Sequence, residues 1–542
     1  MKHMSLDATP AAAGSVDFDR RCWLAGGALS LFAPSLLAAP SRTPADQLVV
    51  VQDLSTITSL DPAAAISYDA MRVLEQCYET LLRFGAADGN KVEPTLAESF
   101  EIDAAQRRLR LRLRASARFA SGNPVTAGDA AWSLQRVLKL KKGADSVLVA
   151  RGFSAATADA DIRALDERTL ELRMPGEEAP QPLLNALCSA ITSVVERAVV
   201  EPMAKDGDMG HAWLASRSAG SGPFAISRWA ANEVVVLERT AAHWRTKPAM
   251  RRILIRHIAE PGVRALMMRS GDADIALELT ADDLAGLERE GQARVHRFLQ
   301  SRFFYLMSNT EVPALADPAV RRALQQMVDV DTIARAVLKG HALPLRSLLL
   351  REAIEPPPPR DTVFDAAAAR AAFERAKVGP LKMLTLAQPP FAELAQAVQA
   401  GARQCGLTIE VETLVGAQLF PRLRARRYEL ALAAFSPANP DPSIMTDTLV
   451  INADNSAQGN SASLAWRAGW QDNELMQLAR EAGRMPDAAE RMAKYRRIDT
   501  LFAQRTPVAP LFQPISKVAH APQVRGFLLT PYRTSLVDVV KS

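Results

Sequence analysis

The sequence predicts an α/β protein whose main sheet is largely parallel, and three observations carry that expectation. First, the apolar run Met383-Leu-Thr-Leu386, a helical pattern over residues 391–405 and the alternating run Leu407-Thr-Ile-Glu-Val411 follow one another as a strand, a helix and a strand. Two strands joined through a long helix lie parallel. Second, short buried-type strands recur, at Leu48-Val-Val-Val51, Val234-Val-Val-Leu237, Ile253-Leu-Ile255 and Tyr428-Glu-Leu-Ala-Leu432. Third, Leu109, Leu111 and Leu113 alternate with Arg110, Arg112 and Arg114, the period of a strand with one face buried and one in water.

Between the strands stand helices. Residues 69–84 place Met71, Leu74, Cys77, Tyr78, Leu81 and Leu82 on one helical face. Thr126 with Asp129 three residues on reads as a capping box opening a helix through Leu134, Val137 and Leu138. Asp317-Pro318 is an N-cap followed by proline at the first helical position, and Gly340 closes the helix after it. Asp487 caps a late helix bearing Met492, Tyr495, Ile498 and Phe502, beyond which Pro507 and Pro510 frame a short strand. Pro356-Pro-Pro-Pro359 reads as a stiff linker.

The chain has 542 residues, 48% of them hydrophobic and 23% charged, the balance of a folded globular protein and not of a disordered one. A chain this long builds large cores without metal or disulfide staples. Its net charge of +5 is spread along the sequence without interleaved aromatics, so a nucleic-acid partner is not expected. Residues 1–39 carry Arg20-Arg21 followed by about 16 weakly apolar residues interrupted by Pro34, too short for the ~20 residues of a membrane span. This reads as a cleavable export signal of the twin-arginine type. Cys77, Cys188 and Cys405 remain after processing, far apart, and are expected as small buried hydrophobes.

Enzyme signatures are missing from the sequence. There is no Gly-x-Ser-x-Gly, no phosphate loop ending in Gly-Lys-Ser/Thr, no His-Glu-x-x-His and no EF-hand spacing. The cluster Gly220-Ser-Gly222-Pro-Phe precedes a strand and so reads as a structural turn. The seven histidines never fall at i, i+3 or i+4, so no local metal site and no cofactor is expected.

Several blocks in order resemble the extracytoplasmic solute-binding proteins of ATP-driven importers, in the oligopeptide/dipeptide/nickel-binding family. They are Ser59-Leu-Asp-Pro62, Tyr78-Glu-Thr-Leu-Leu82, residues 93–100, residues 113–129, Gly220-Ser-Gly-Pro-Phe224, Gly271-Asp-Ala-Asp-Ile275, residues 317–324, residues 328–331 and residues 495–511. The resemblance implies a class II periplasmic-binding-protein-like α/β fold with two lobes, an inserted subdomain and a two-segment hinge. Lobe I is expected over residues 45–260 and 513–542, with the subdomain over about 67–195, and lobe II over 261–512. The hinge is expected near Glu260 and Phe512. It further implies a monomeric, soluble periplasmic protein that captures a peptide or other small solute and hands it to a membrane permease and its ATPase. Alternative ligands are a metal chelate, an opine, a sugar or a haem-like group. An exported hydrolase on the same scaffold and a regulator fused to a DNA-binding head are weaker readings.

Peptide binders of this family usually carry an aspartate for the ligand's α-amino group in a stretch like Ala434-Phe-Ser-Pro-Ala-Asn-Pro-Asp-Pro442. Here Phe435 stands at the usual tryptophan, and Ala438 at the aspartate. A buried ammonium without a partner costs several kcal/mol, so free-amine recognition at this position is not expected unless Asp441 or Asp447 supplies the charge. The ligand-binding candidates are Tyr68, Asp69, Ser221, Tyr305, Asn309, Phe435, Ser436, Ala438, Asn439 and Asp441, with Ser308 beside Tyr305. Asp272 and Asp274 read as turn residues before a strand rather than as an acid–base pair.

Overall fold

The buried strand Gln47–Gln52 pairs in parallel with Arg252–His257, Leu48 opposite Ile253, and with Ile275–Ala276, Val50 opposite Ile275. Five buried residues in six fit a strand covered on both faces. The computed structural model describes residues 42–85, 91–176, 179–241, 243–351, 363–437, 439–459 and 463–542. The 1–39 leader, the Pro356–Pro359 linker and Ala438 lie outside the described residues.

Ten strands form one continuous order: Ile409–Leu414, Leu381–Leu386, Leu430–Phe435, Phe303–Ser308, Val508–His520, Ile275–Ala276, Gln47–Gln52, Arg252–His257, Val234–Arg239 and Phe224–Ala230. Arg294–Leu299 and Ala342–Pro344 also pair with Val508–His520. The expected strand–helix–strand unit is present, with Leu381–Leu386 parallel to Ile409–Leu414 across the helix Phe391–Gln404. Val508–His520 stitches the sheet together. Its first half pairs with Phe303–Ser308 and its second half with Arg294–Leu299.

That strand is longer than the short one expected from Pro507 and Pro510. Proline cannot donate to a ladder and is confined to edges and irregularities. Here Pro510 sits opposite Tyr305 just where the register shifts, between Phe304 and Tyr305, so the strand runs on through it.

Apolar side chains gather into three cores. The first joins Leu48, Val51, Leu237, Ile253, Ile275 and Leu287 with Val518 and Val539. The second runs from Phe303 to Phe512 and includes Met383, Phe391, Leu430 and Tyr495. A third, within residues 63–194, is built on the four-stranded sheet of Ala97–Asp103, Arg108–Leu113, Thr169–Arg173 and Ile162–Ala164. Two large cores and an inserted smaller one make the two-lobed fold. Ala265, Met268, Ile275 and Leu284 pack with Leu48 in the first core, so the chain passes to the second core at residues 300–302 and not at Glu260. It returns near Gln513, where Gln300 N–H donates to Pro514 O and Gln513 Nε2 to Gln300 O.

Local signals set most helix starts. Thr126 and Asp129 form the capping box of Ala127–Leu140, and Asp317 and Asp487 cap Pro318–Gln326 and Ala488–Arg505. One helix ends earlier than its apolar pattern: Tyr68–Cys77 stops, and Leu82–Phe84 is a strand. The cause lies in the Gly220–Gly222 turn, which is pressed against that point. Gly222 N–H donates to Cys77 O, Ala219 N–H to Tyr78 Oη, and a Cβ on Gly220 would lie within 2.2 Å of Cys77 O.

Cys77, Cys188 and Cys405 are buried free thiols. Asp274 is likewise structural, fully buried against Lys541 Nζ at 2.7 Å and the Val49 N–H at 2.8 Å. Among the described residues no helix is long and apolar enough to cross a membrane.

Candidate functional site between the two cores

Register locates the site. In the first core, Ala276 lies opposite Ala519 while Leu299 lies opposite Ile515. Ile275–Ala276 and its parallel neighbours therefore run toward the crossing with their carboxyl ends. In the second core, Phe435 lies opposite Phe303 and Phe304 opposite Phe512, so Leu430–Phe435 and its parallel partner Leu381–Leu386 also end at the crossing. Open α/β sheets take ligands at the carboxyl ends of their strands. Here both lobes present such ends to one gap.

The first core's side carries paired charges, Asp53 beside His257, Asp69 beside Arg72 and Glu278 beside Arg264. Asp53 and Glu278 follow two of the parallel strands and His257 ends the third, and His257 Nδ1 both accepts from Leu54 N–H and lies 3.3 Å from Asp53. Glu278 is held by Arg264, whose Nη2 donates to its carbonyl at 2.9 Å. Burial, followed by the charge of Asp69, pushes the Glu278 carboxyl above its ordinary range. Ile66 and Tyr68 are exposed apolar groups, 65% and 43% exposed, just before and at the start of Tyr68–Cys77. The Arg72 guanidinium lies 4.2 Å from the Tyr68 ring centre, and Tyr68 Oη donates to Thr530 O. Asp69 accepts from Thr56 Oγ1 at 2.7 Å.

The second core contributes Ser301, Arg302, Val415, Phe435, Ser436 and Asn439. Ser301 Oγ donates to Pro437 O at 2.7 Å and ties the crossing to the end of Leu430–Phe435. Val415 is 54% exposed. The Phe435 ring packs 5.9 Å from Phe303 and is half-buried, while Ser436 is exposed. Asn439 is buried, its Oδ1 accepting from Asp441 N–H.

The remaining candidates are committed to the fold. Asp441 is buried in a two-pronged ion pair with Arg491 at 2.6 and 2.9 Å, and it caps the helix Pro442–Leu449. Burial opposes its ionisation, yet the Arg491 fork holds the carboxyl below its ordinary range. Ser221 is buried and donates to Glu79 at 2.9 Å. Asn309 Nδ2 donates to two carbonyls, those of Arg426 and Tyr428. Tyr305 is fully buried, and burial pushes its hydroxyl up to about 12. Asp447 pairs with Arg151 of the inserted core at 3.1 Å.

Among the described residues that pair joins two other contacts between the inserted and second cores. Asn185 Nδ2 donates to Asp441 Oδ2 at 3.2 Å, and Ala179 N–H donates to Gly483 O at 2.7 Å. Of these the Arg151–Asp447 pair is the partly exposed one, with Asp447 44% exposed, and so the most easily exchanged. Sequence reasoning missed Arg302, Glu278 and the Arg151–Asp447 pair. A lone arginine entering the apolar strand Phe303–Ser308 was the available signal for the first. The other two depend on distant packing.

A separate cavity of about 290 Å³ lies where the first and inserted cores meet, lined among others by Glu75, Glu79, Phe84, Cys188, His243 and Arg245. It involves neither crossing, so it is not the capture site. Among the described residues no three His, Cys, Asp or Glu side chains come together as a metal site requires.

The family model for bacterial extracellular solute-binding proteins, family 5, matches residues 91–457. The chain belongs to this family. Over 533 residues it is 27% identical to the probable D,D-dipeptide-binding periplasmic protein of Escherichia coli (strain K12), covering 94% of this chain and 98% of that protein. Among solved structures it is similar to HbpA2 from Haemophilus parasuis, with a TM-score of 0.77 at 20% identity over 92% of this chain and 100% of that one. It is also similar to the periplasmic binding protein DppA from Helicobacter pylori in complex with peptide STSA, with a TM-score of 0.73 at 21% identity over 91% and 98%. At those identities the structural likeness speaks for the shared two-lobed fold.

Proposed function

We propose that this chain is the periplasmic binding component of an ABC importer. It captures a peptide-like or other small solute between its lobes and delivers it to a membrane permease powered by an ATPase. The carrying observation is that the carboxyl ends of the parallel strands in both cores face one gap beside two chain crossings. Family membership and the periplasmic peptide-binding relatives support the same reading.

On this reading lobe I comprises residues 45–299 and 515–542, with the inserted subdomain at about 67–195, and lobe II comprises 303–512. Residues 300–302 and 513–514 form the hinge. The 1–39 segment directs export through its arginine pair. The protein acts as a monomer and makes or breaks no bond in its solute. Closure removes water from the gap, so a few polar groups discriminate strongly.

A second reading, a non-peptide ligand, is favoured by Ala438 and by the engagement of Asp441 with Arg491 and of Asp447 with Arg151, which occupy the expected ammonium partners. Structures of the same fold carry Ni(L-His) or agropinic acid. Native mass spectrometry of the protein taken from the periplasm tests both readings. A co-purified, unaltered small solute supports capture, and its identity separates peptide from non-peptide. A solute that is converted on incubation contradicts the reading.

A further inference from the structure

We propose that Arg302 is the anchor for a carboxylate of the captured solute, an inference that rests on the capture reading above. Arg302 is the last crossing residue before Phe303–Ser308, and the pairing of Phe303 with Phe435 puts it across from Ser436 at the carboxyl end of Leu430–Phe435. Its side chain is half-buried, and its guanidinium lies 5.6 Å from the Phe304 ring centre. Among the described residues it meets no hydrogen-bond acceptor and no carboxylate.

That isolation sets it apart from the other arginines in similar surroundings. Arg245, Arg321 and Arg533 are also held below their ordinary range by burial. Each has a partner: Arg245 lies 3.5 Å from Glu79, Arg321 donates to three carbonyls, and Arg533 donates to Phe84 O. Arg467 is likewise engaged. For Arg302 burial is the only influence, with no charged neighbour acting on it.

A guanidinium offers five donors in a rigid fork, which suits a carboxylate in two-pronged geometry. Removing such a group from water without a partner is costly, and closure would dry it further. The matching charge must then arrive with the ligand. One isolated cation balances one negative charge, which favours a carboxylate over a phosphate dianion. The Phe304 ring limits the sweep of the guanidinium, and the exposed Ser436 hydroxyl beside it can donate to the same oxygen. With Ala438 in place of an aspartate, the solute is held by its acid end and not by its amine.

The test uses pools of dipeptides in four forms: free, N-acetylated, C-amidated, and both acetylated and amidated, with inorganic phosphate as a further probe. Binding is measured by native mass spectrometry and calorimetry, alongside identification of the co-purified solute. Free and N-acetylated pools should bind, and amidation should weaken binding tenfold to about a hundredfold. Arg302→Gln should lose the acid-dependent part, Arg302→Lys should recover some of it, and neither should lower the melting temperature. Where no pool binds, a co-purified acidic solute lost in Arg302→Gln supports the assignment. Amidated peptides binding as tightly as acids, Arg302→Gln binding acids like the wild type, preference for phosphate, or a co-purified solute without an acid group would each overturn it. A protein that still closes on a neutral solute would refute the anchor while leaving the capture reading intact. A protein that closes on nothing would refute the reading itself.

Discussion

Arg491 and Arg302 both belong to the second core's side of the molecule, yet they are opposite in kind. Arg491 is buried, and both prongs of its fork are spent on Asp441, with Nη2 also donating to Tyr495 Oη. Arg302 is half-buried at the crossing, with the Phe304 ring as its neighbour. The inserted core repeats the first pattern. There Arg136 meets Asp61 at 2.6 and 2.7 Å, and His211 lies 2.8 Å from the same carboxylate. A buried charge with an internal partner holds architecture, whereas one left without a partner at the meeting of two lobes is available to something from outside.

The largest effect that would sharpen this contrast comes from removing one member of a buried pair. Arg491→Met strands the Asp441 carboxylate, and Arg136→Met strands Asp61, which is fully buried. Each should cost about 3–5 kcal/mol in urea unfolding. A loss below ~1 kcal/mol would mean that these pairs are not structural supports.

Acid should expose the same two pairs. Burial works against ionisation of Asp61 and Asp441, but the arginine forks outweigh it and leave both carboxyls lowered in the folded state. The unfolded chain therefore takes up these protons first. The stabilisation is complete above the ordinary carboxylate value and is lost as pH falls through the lowered one. Urea midpoints should fall as pH drops from about 5 toward about 3, and Arg302→Gln should fall in parallel with the wild type.

Much of the fold was legible in the sequence because its causes are local. The Thr126–Asp129 box, the aspartates at 317 and 487, and the leucine–arginine alternation at 109–114 all act within a few residues. What was not legible depends on distant partners. The helix at Cys77 is stopped by a turn more than a hundred residues downstream, and the strand through Pro510 persists because a register shift absorbs the proline. The site divides in the same way. Ser436 follows the carboxyl end of Leu430–Phe435, as its place in the sequence suggests, but Asp441 looked available only because Arg491 is remote in sequence. Arg302 could not be recognised until its lack of a partner was visible.

Smaller effects probe the seam. Asp447→Asn breaks the contact with Arg151, and since Asp447 is 44% exposed the stability change should stay within about 1 kcal/mol. The expected consequence is a shift of the lobes toward an open arrangement, read as a larger radius of gyration without ligand. An unchanged radius would show that the contact does not bias closure. The smallest effect belongs to Arg302→Gln, which gives up only the partly exposed contact with the Phe304 ring and should alter unfolding by about 0.5 kcal/mol or less. A large loss would place Arg302 with Arg491 as an architectural group.

Small-angle scattering of the purified chain with and without its co-purified solute tests capture most directly. Closure of two lobes around residues 300–302 and 513–514 predicts a smaller radius of gyration and a shorter maximum dimension once the solute is bound, with the solute recovered chemically intact. Superimposable curves at saturating solute would contradict the account.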